Sequence, residues 1–92
     1  MYFNTIEAEY IERYRIKLVF TDGKSGIIDL EQYISDGEIF EPVQSVENFK
    51  KFTVEFGTLT WNDGSIDIAP ETLYEKTTGE PIILENNIRG VG

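Results

Sequence analysis

The sequence contains neither cysteine nor histidine. Without cysteine the chain has no disulfide, no thiolate ligand for zinc and no thiol nucleophile, which fits a reducing compartment. Without histidine it lacks the side chain that most often serves as general base and metal ligand near neutral pH. All four serines stand in turn or cap contexts: Ser25, Ser35, Ser45 and Ser65. We therefore expect a protein that is not an enzyme and binds no cofactor.

Long apolar runs are also missing. No stretch approaches the roughly 18 apolar residues of a membrane-spanning helix. The N-terminal segment has no basic region followed by an apolar run, and Glu7, Glu9 and Glu12 follow close behind it, so it does not resemble a signal peptide. We expect a cytoplasmic protein that does not contact membranes.

Basic residues are scarce. Eight lysines and arginines face 17 acids, for a net charge of −9. Phosphate backbones are bound mainly through lysine and arginine, so we expect no direct binding of nucleic acid. The acidity is open to two interpretations, which are solubility alone or a surface complementary to a basic protein partner.

What the chain does contain is enough material for one core. Its 92 residues are 40% hydrophobic and 13% aromatic, which indicates a single globular domain. We place that domain at residues 1–79. Residues 80–92 form a tail with the apolar run Pro81–Leu84, either an added edge strand or a loosely held terminus.

Alternation of apolar and polar residues predicts an N-terminal strand over Thr5–Ile11. Ile6, Ala8 and Tyr10 share one face, and the phase changes at Ile11, which indicates a bulge or short turn near Glu12-Arg13. Further alternation predicts two hairpins, because aspartate-glycine between apolar strands favours a tight turn. Their strands are Tyr14–Thr21 with Ser25–Leu30 around Asp22-Gly23, and Thr58–Trp61 with Ser65–Ile68 around Asn62–Gly64, the second preceded by a strand over Phe52–Phe56.

Capping residues predict three short helices. Asp29 precedes a helical turn over residues 30–34, and Ser45 is placed to cap a helix that carries Val46 and Phe49. Pro70 suits the first position of a third helix, which ends over residues 76–79, because its missing N–H needs no partner there. Residues 38–42 are predicted to be a connector.

The two aspartate-glycine hairpins resemble each other in order and content. In each, a strand, a turn, a return strand and an isoleucine-aspartate-apolar triplet (Ile28–Leu30, Ile66–Ile68) lead into a helix. The predicted fold is α+β, with both hairpins and the N-terminal strand in one small antiparallel sheet and two or three short helices on one face.

The segment from Trp61 to Tyr74 is the candidate interaction surface. The residues that we expect to form this surface are Trp61, Asp63, Gly64, Asp67, Pro70, Glu71, Leu73 and Tyr74. Trp61 is either a core residue or an interface anchor, since tryptophan is enriched in binding hot spots. Carboxylates at Asp63, Asp67 and Glu71 suggest an alternative, a metal-dependent or accessory enzyme component, because carboxylates bind hard cations and transfer protons. No segment follows the calcium-loop pattern, so we expect no metal site.

Residues 61–64, 67–71 and 73–74 resemble the signature of a bacterial family, the domain of unknown function 2442. Further pieces match in order, namely Phe20–Gly23, Asp29-Leu30, Phe40–Val43 and Phe49, with Val43 as a mild departure. The resemblance covers about residues 6–75. It implies a small α+β domain with an antiparallel sheet and no established enzymatic activity.

Members of that family are similar to partner proteins whose genes lie beside a gene for another small domain. This gene arrangement resembles that of toxin–antitoxin pairs. We therefore expect a non-catalytic protein-interaction domain that binds a small, basic protein, in the manner of an antitoxin. A homodimer is a further expectation, with residues 5–11 or 82–84 as the strands that would pair across it.

Overall fold

The structure, a computed structural model, describes residues 3–79. Two runs of three strands are each followed by helical segments in this part of the chain. In order they are β1 (Thr5–Glu12), β2 (Arg15–Phe20), β3 (Ser25–Asp29), α1 (Glu31–Asp36), a 3-10 helix (Glu38–Val43), α2 (Val46–Phe49), β4 (Thr53–Glu55), β5 (Thr58–Trp61), β6 (Ile66–Asp67) and α3 (Pro70–Thr78). None of the helices described between residues 3 and 79 has the length and apolar character to cross a membrane. The predicted tail, residues 80–92, lies outside the described residues.

The strands form two antiparallel sheets of three strands, in the orders β1-β2-β3 and β4-β5-β6. The predicted α+β class is confirmed, but the prediction that both hairpins share one sheet is wrong. Residues 30–52, with α1, the 3-10 helix and α2, separate β3 from β4, so the second hairpin pairs with its own preceding strand. The backbone N–H of Thr5 joins the sheets by donating to the carbonyl of Gly57 at 2.8 Å.

Strand β2 forms the centre of the first sheet, as its alternation predicts. Ile16, Leu18 and Phe20 are fully buried, whereas the residues between them face outward. The turn that follows is stabilised by Asp22, whose Oδ1 accepts the N–H of Lys24 at 2.9 Å. The predicted aspartate-glycine hairpin is confirmed.

At one end of strand β1, the side chains that point into the core are not the predicted ones. Its pairing with β2 shifts between Thr5 and Glu7, and again between Tyr10 and Glu12. The second shift confirms the predicted bulge. The first breaks the alternation, because an extra residue in one strand turns its neighbours. As a result Thr5 is buried and Ile6 is 53% exposed, although the sequence pattern groups Ile6 with Ala8 and Tyr10.

The predicted starts of the second and third helices are confirmed, whereas the first helix begins at Glu31 with Leu30 as its N-cap, one residue later than predicted. Asp29 Oδ1 accepts the N–H of Glu31 at 2.9 Å, and Ser45 Oγ accepts the N–H of Asn48 at 3.2 Å. Pro70 is the first residue of α3, and Gly79, in the left-handed conformation at φ 75°, ends that helix. The predicted connector is instead a 3-10 helix over Glu38–Val43, which buries Phe40 and Val43.

The two halves of the domain repeat one plan and interlock. Each half is a three-stranded meander that leads into a helix, α1 in the first half and α3 in the second. Helix α3 packs across β3 of the first half, so closely that a Cβ on Gly26 would lie 3.0 Å from Thr77 Cγ2. Both halves therefore share one core, whose buried apolar residues are Phe3, Ile16, Leu18, Phe20, Ile28, Leu30, Ile34, Phe40, Val43, Phe49, Leu59, Trp61, Ile66, Ile68, Leu73 and Tyr74.

Candidate functional site

Trp61 lies in the core and is 2% exposed. Its indole Nε1–H donates to the carbonyl oxygen of Phe49 at 2.7 Å. The Phe40 ring meets it edge-on at 6.3 Å between centroids, and the Phe49 ring lies at 5.7 Å. Of the two interpretations of this tryptophan, the structure supports the core residue, because its ring and its polar group are both used inside the domain.

Tyr74 and Leu73 are also buried, at 3% and 0% exposure. The Tyr74 hydroxyl reaches out of the core and donates to Asp22 Oδ2 at 2.6 Å. This hydrogen bond ties α3 to the first hairpin turn. It lowers the pKa of the Asp22 carboxyl below its usual value and raises the pKa of the Tyr74 hydroxyl, since the bond needs a carboxylate acceptor and a protonated phenol.

Replacing Tyr74 by phenylalanine is expected to lower the free energy of unfolding over a defined pH range. The lowered pKa of Asp22 means that its contribution is present above the unfolded value of 3.8 and is lost as the pH falls through the folded value. The raised pKa of Tyr74 means that its contribution is present below the unfolded value of 10.0 and is lost as the pH rises through the folded value. Urea denaturation of wild type and Tyr74→Phe across this range measures the difference in free energy of unfolding. Plotted against pH, this difference should be constant in the middle of the range and fall at both its acidic and its basic end. In the Asp22→Asn background, the stability difference caused by Tyr74→Phe should not fall at acidic pH. A stability difference between wild type and Tyr74→Phe that is independent of pH would contradict the assigned hydrogen bond.

The remaining candidate residues are at the surface. Asn62, Asp63 and Gly64 have positive φ angles of 53°, 55° and 89°, and Ser65 closes their turn by donating its N–H to the Asn62 carbonyl at 3.1 Å. Asp63 is exposed and Gly64 is partly buried within this turn. Its residues therefore have a structural role, since left-handed backbone favours asparagine, aspartate and glycine.

Asp67 and Glu71 are exposed on β6 and in the first turn of α3, where Pro70 is partly buried. Between residues 3 and 79, no three carboxylates lie close enough together to hold a metal ion. The structure thus does not assemble Asp63, Asp67 and Glu71 into the cation site that the enzyme alternative would need.

The hairpin between β4 and β5 places a large apolar side chain at the surface. The sequence pattern assigns Phe56 to a strand, but the strand ends at Glu55, and Phe56 and Gly57 form a two-residue loop with φ angles of 56° and 76°. Phe56 is 88% exposed. A phenylalanine-glycine pair between two alternating strands is the signal in the sequence that indicates this exposure, because both residues of such a loop leave the strand pattern.

Charge is unevenly distributed around this hairpin. Residues 3–12 and 52–75 contain no lysine or arginine, and their acids are Glu7, Glu9, Glu12, Glu55, Asp63, Asp67, Glu71 and Glu75. The two segments meet where the Thr5 N–H donates to the Gly57 carbonyl. We call these two segments together the base-free region. Bases of the neighbouring strand β2 approach only its β1 part, where Arg15 pairs with Glu12 at 2.9 Å and Lys17 lies opposite Glu9.

A family model for a protein of unknown function, DUF2442, matches residues 5–79. The chain belongs to the DUF2442 family. The match runs from the first residue of β1 to the glycine that ends α3, so it includes both interlocked halves. No curated protein and no solved structure shows significant similarity to the chain.

Three surface depressions border α1 in this DUF2442 domain. One, of about 520 Å³, is lined by Asp29, Glu31, Gln32 and Ser35. A second, of about 460 Å³, lies against the Tyr33 and Phe40 rings, where Lys76 Nζ sits 5.9 Å from the centre of the Tyr33 ring. The Asp29 carboxyl has a lowered pKa because it accepts the Glu31 N–H.

Proposed function

We propose that this DUF2442 domain is a non-catalytic interaction domain that works in the cytoplasm by binding a small basic protein through the base-free region. The observation that carries the proposal is the separation of charge along the chain, because the two segments that meet there carry eight acids and no lysine or arginine of their own. Such a field speeds encounter with a basic surface and disfavours other partners.

The chemistry of the described residues supports a role without catalysis. Asp22 and Asp29 both have pKa values below the ordinary one, because each accepts hydrogen bonds in its charged form. A general acid or base that works near neutral pH needs a carboxyl pKa shifted upward instead. Both carboxylates have structural partners, the Tyr74 hydroxyl and the Glu31 N–H respectively.

The more specific form of the proposal is an antitoxin-like role. An acidic domain that covers the basic, active face of a partner would neutralise it by occupying that face. This form is supported by the family's resemblance to partner proteins whose genes lie beside a gene for another small domain. It would make the product of an adjacent gene the first partner to test.

Co-purification with the adjacent gene product at low and high salt tests the proposal. Binding is expected to weaken by about tenfold or more between roughly 0.1 M and 1 M salt, where the Debye length falls from about 10 Å to about 3 Å. Glu7→Lys, inside the base-free region, should weaken binding more than Glu41→Lys, which makes the same charge change in the 3-10 helix. Equal effects of the two variants, or no bound protein at either salt concentration, would count against the proposal.

A further inference from the structure

The apex of the β4–β5 hairpin is occupied by a residue that the fold does not favour there. Phe56 has a φ of 56° and is 88% exposed, the largest exposure of any large apolar side chain between residues 3 and 79. Two-residue hairpin loops with positive φ at both positions favour asparagine or aspartate before glycine. A bulky residue in this conformation is strained, and its ring gains no burial in return. Strain of this kind is found preferentially at functional sites.

The apex is also held in place. The Gly57 carbonyl accepts the Thr5 N–H at 2.8 Å, and the Asn4 side chain packs against Gly57, with Oδ1 only 2.7 Å from where a Cβ would stand. The loop has just two residues between paired strands. A side chain presented by a fixed loop loses little conformational freedom on binding, which favours affinity.

The surroundings of the apex indicate the chemistry of its partner. Ile6, 53% exposed, directly follows Thr5 at the junction of the two sheets. Glu55 and Glu7 are the chain neighbours of Phe56 and Ile6, and the base-free region continues on both segments. An exposed aromatic side chain on a segment whose charged residues are all acidic fits an apolar pocket bordered by lysine or arginine. The same charge repels a second copy of the chain and anionic phosphate surfaces.

We infer that the β4–β5 hairpin is the anchor of the interface, with Phe56 inserted into an apolar pocket on the basic protein partner and Ile6 beside it. This inference rests on the proposed function and adds to it the position of the contact. The partner is a protein, since the acidic residues on both segments disfavour anionic phosphate surfaces.

Photocrosslinking from the apex tests the inference in the full chain. Phe56→p-benzoylphenylalanine keeps an aromatic ring at the apex and forms a covalent bond with whatever contacts it on irradiation. The same analogue at Ile39, which is 62% exposed on the 3-10 helix, is the control. A crosslink from position 56 to a basic protein, at a site beside its lysines or arginines, and none from position 39 is the expected result.

The Phe56→Asn variant supplies the second measurement. Its melting temperature should equal or exceed that of the wild type, because asparagine suits the loop, while its affinity for the crosslinked protein, purified, should fall by about tenfold or more. Ile39→Asn should change that affinity by less than about twofold. A lower melting temperature for Phe56→Asn, or unchanged affinity, would overturn the inference.

The crosslinking outcomes separate this inference from the proposed function. Capture of the basic partner from position 39 but not from 56 would refute the apex as anchor and leave the interaction domain in place. Crosslinks from position 56 to a second copy of the chain would refute the inferred occupant. Salt-sensitive binding that Glu7→Lys weakens and Phe56→Asn does not would likewise retain the proposed function alone. No crosslinked protein from either position, together with no co-purified protein, would refute both.

Discussion

Replacing Trp61 by alanine is expected to lower the free energy of unfolding by about 3–5 kcal/mol, the usual loss for a large aromatic side chain in a core. The indole is 2% exposed and contacts the Phe40 ring of the 3-10 helix and the Phe49 ring of α2, so its removal leaves a cavity beside these two helices. A 92-residue domain has a total stability of roughly 5–14 kcal/mol. The variant should therefore lose about a quarter or more of the total stability, as measured by urea denaturation followed by far-UV circular dichroism.

Trp61→Phe separates the two contributions of this side chain. Phenylalanine keeps most of the ring but leaves the buried Phe49 carbonyl without the indole donor that now lies at 2.7 Å. An unpaired buried acceptor costs about 1–3 kcal/mol, so the phenylalanine variant should lie between wild type and Trp61→Ala. A loss for Trp61→Ala no larger than that for Trp61→Phe would show that the hydrogen bond, and not the packing, accounts for the effect.

Features encoded by a few neighbouring residues could be predicted from the sequence. The Asp22 turn and the Ser45 cap each depend on a side chain that accepts a backbone N–H two or three residues along, and the Pro70 helix start depends on the missing N–H of the proline itself. The inward orientation of Ile16 and Leu18 could be predicted for the same reason. Successive side chains of a strand point to opposite faces, so apolar residues at every second position indicate the buried face without reference to distant residues.

Features set by distant contacts could not be predicted. Whether two hairpins share a sheet depends on which edges meet, and here the contact between Thr5 and Gly57 spans most of the chain. That junction coincides with the shifted register that exposes Ile6. The same limit applies to the candidate site, since the sequence does not show which groups the buried Trp61 and Tyr74 bind, and these partners, Phe49 and Asp22, are distant in the chain.

The matching plan of the two halves raises the question of why the domain does not separate into them. Helix α3 belongs to the second half by sequence but covers β3 of the first, and its Tyr74 hydroxyl binds Asp22 in the first turn. Each meander alone has three strands, and β6 has only two residues, which is too little to bury a face. The halves are thus expected to fold as one cooperative unit, and the junction at Gly57 is the place where that unity can be tested.

Replacing Gly57 by alanine is expected to lower the free energy of unfolding by about 2–4 kcal/mol, the sum of two effects. The first is the positive φ of 76°, which costs an alanine about 1–2 kcal/mol. The second is steric, because the new Cβ would stand 2.7 Å from both Cγ and Oδ1 of Asn4 and 3.0 Å from its Cβ. Asn4 must move, and the Thr5 hydrogen bond that joins the sheets is expected to weaken with it.

Gly79→Ala isolates the first effect, because Gly79 has nearly the same φ, 75°, and, apart from its chain neighbours, no atom of the described residues lies within 4 Å of an added Cβ. Its loss should be the backbone cost alone, about 1–2 kcal/mol, so the excess at Gly57 measures the contact with Asn4. The double variant Asn4→Gly, Gly57→Ala should recover part of that excess, since truncating Asn4 removes the atoms in the way. Equal losses at the two glycines, with no recovery in the double variant, would mean that the Asn4 contact contributes nothing. The junction would then not fix the hairpin apex as firmly as the anchoring role of Phe56 requires.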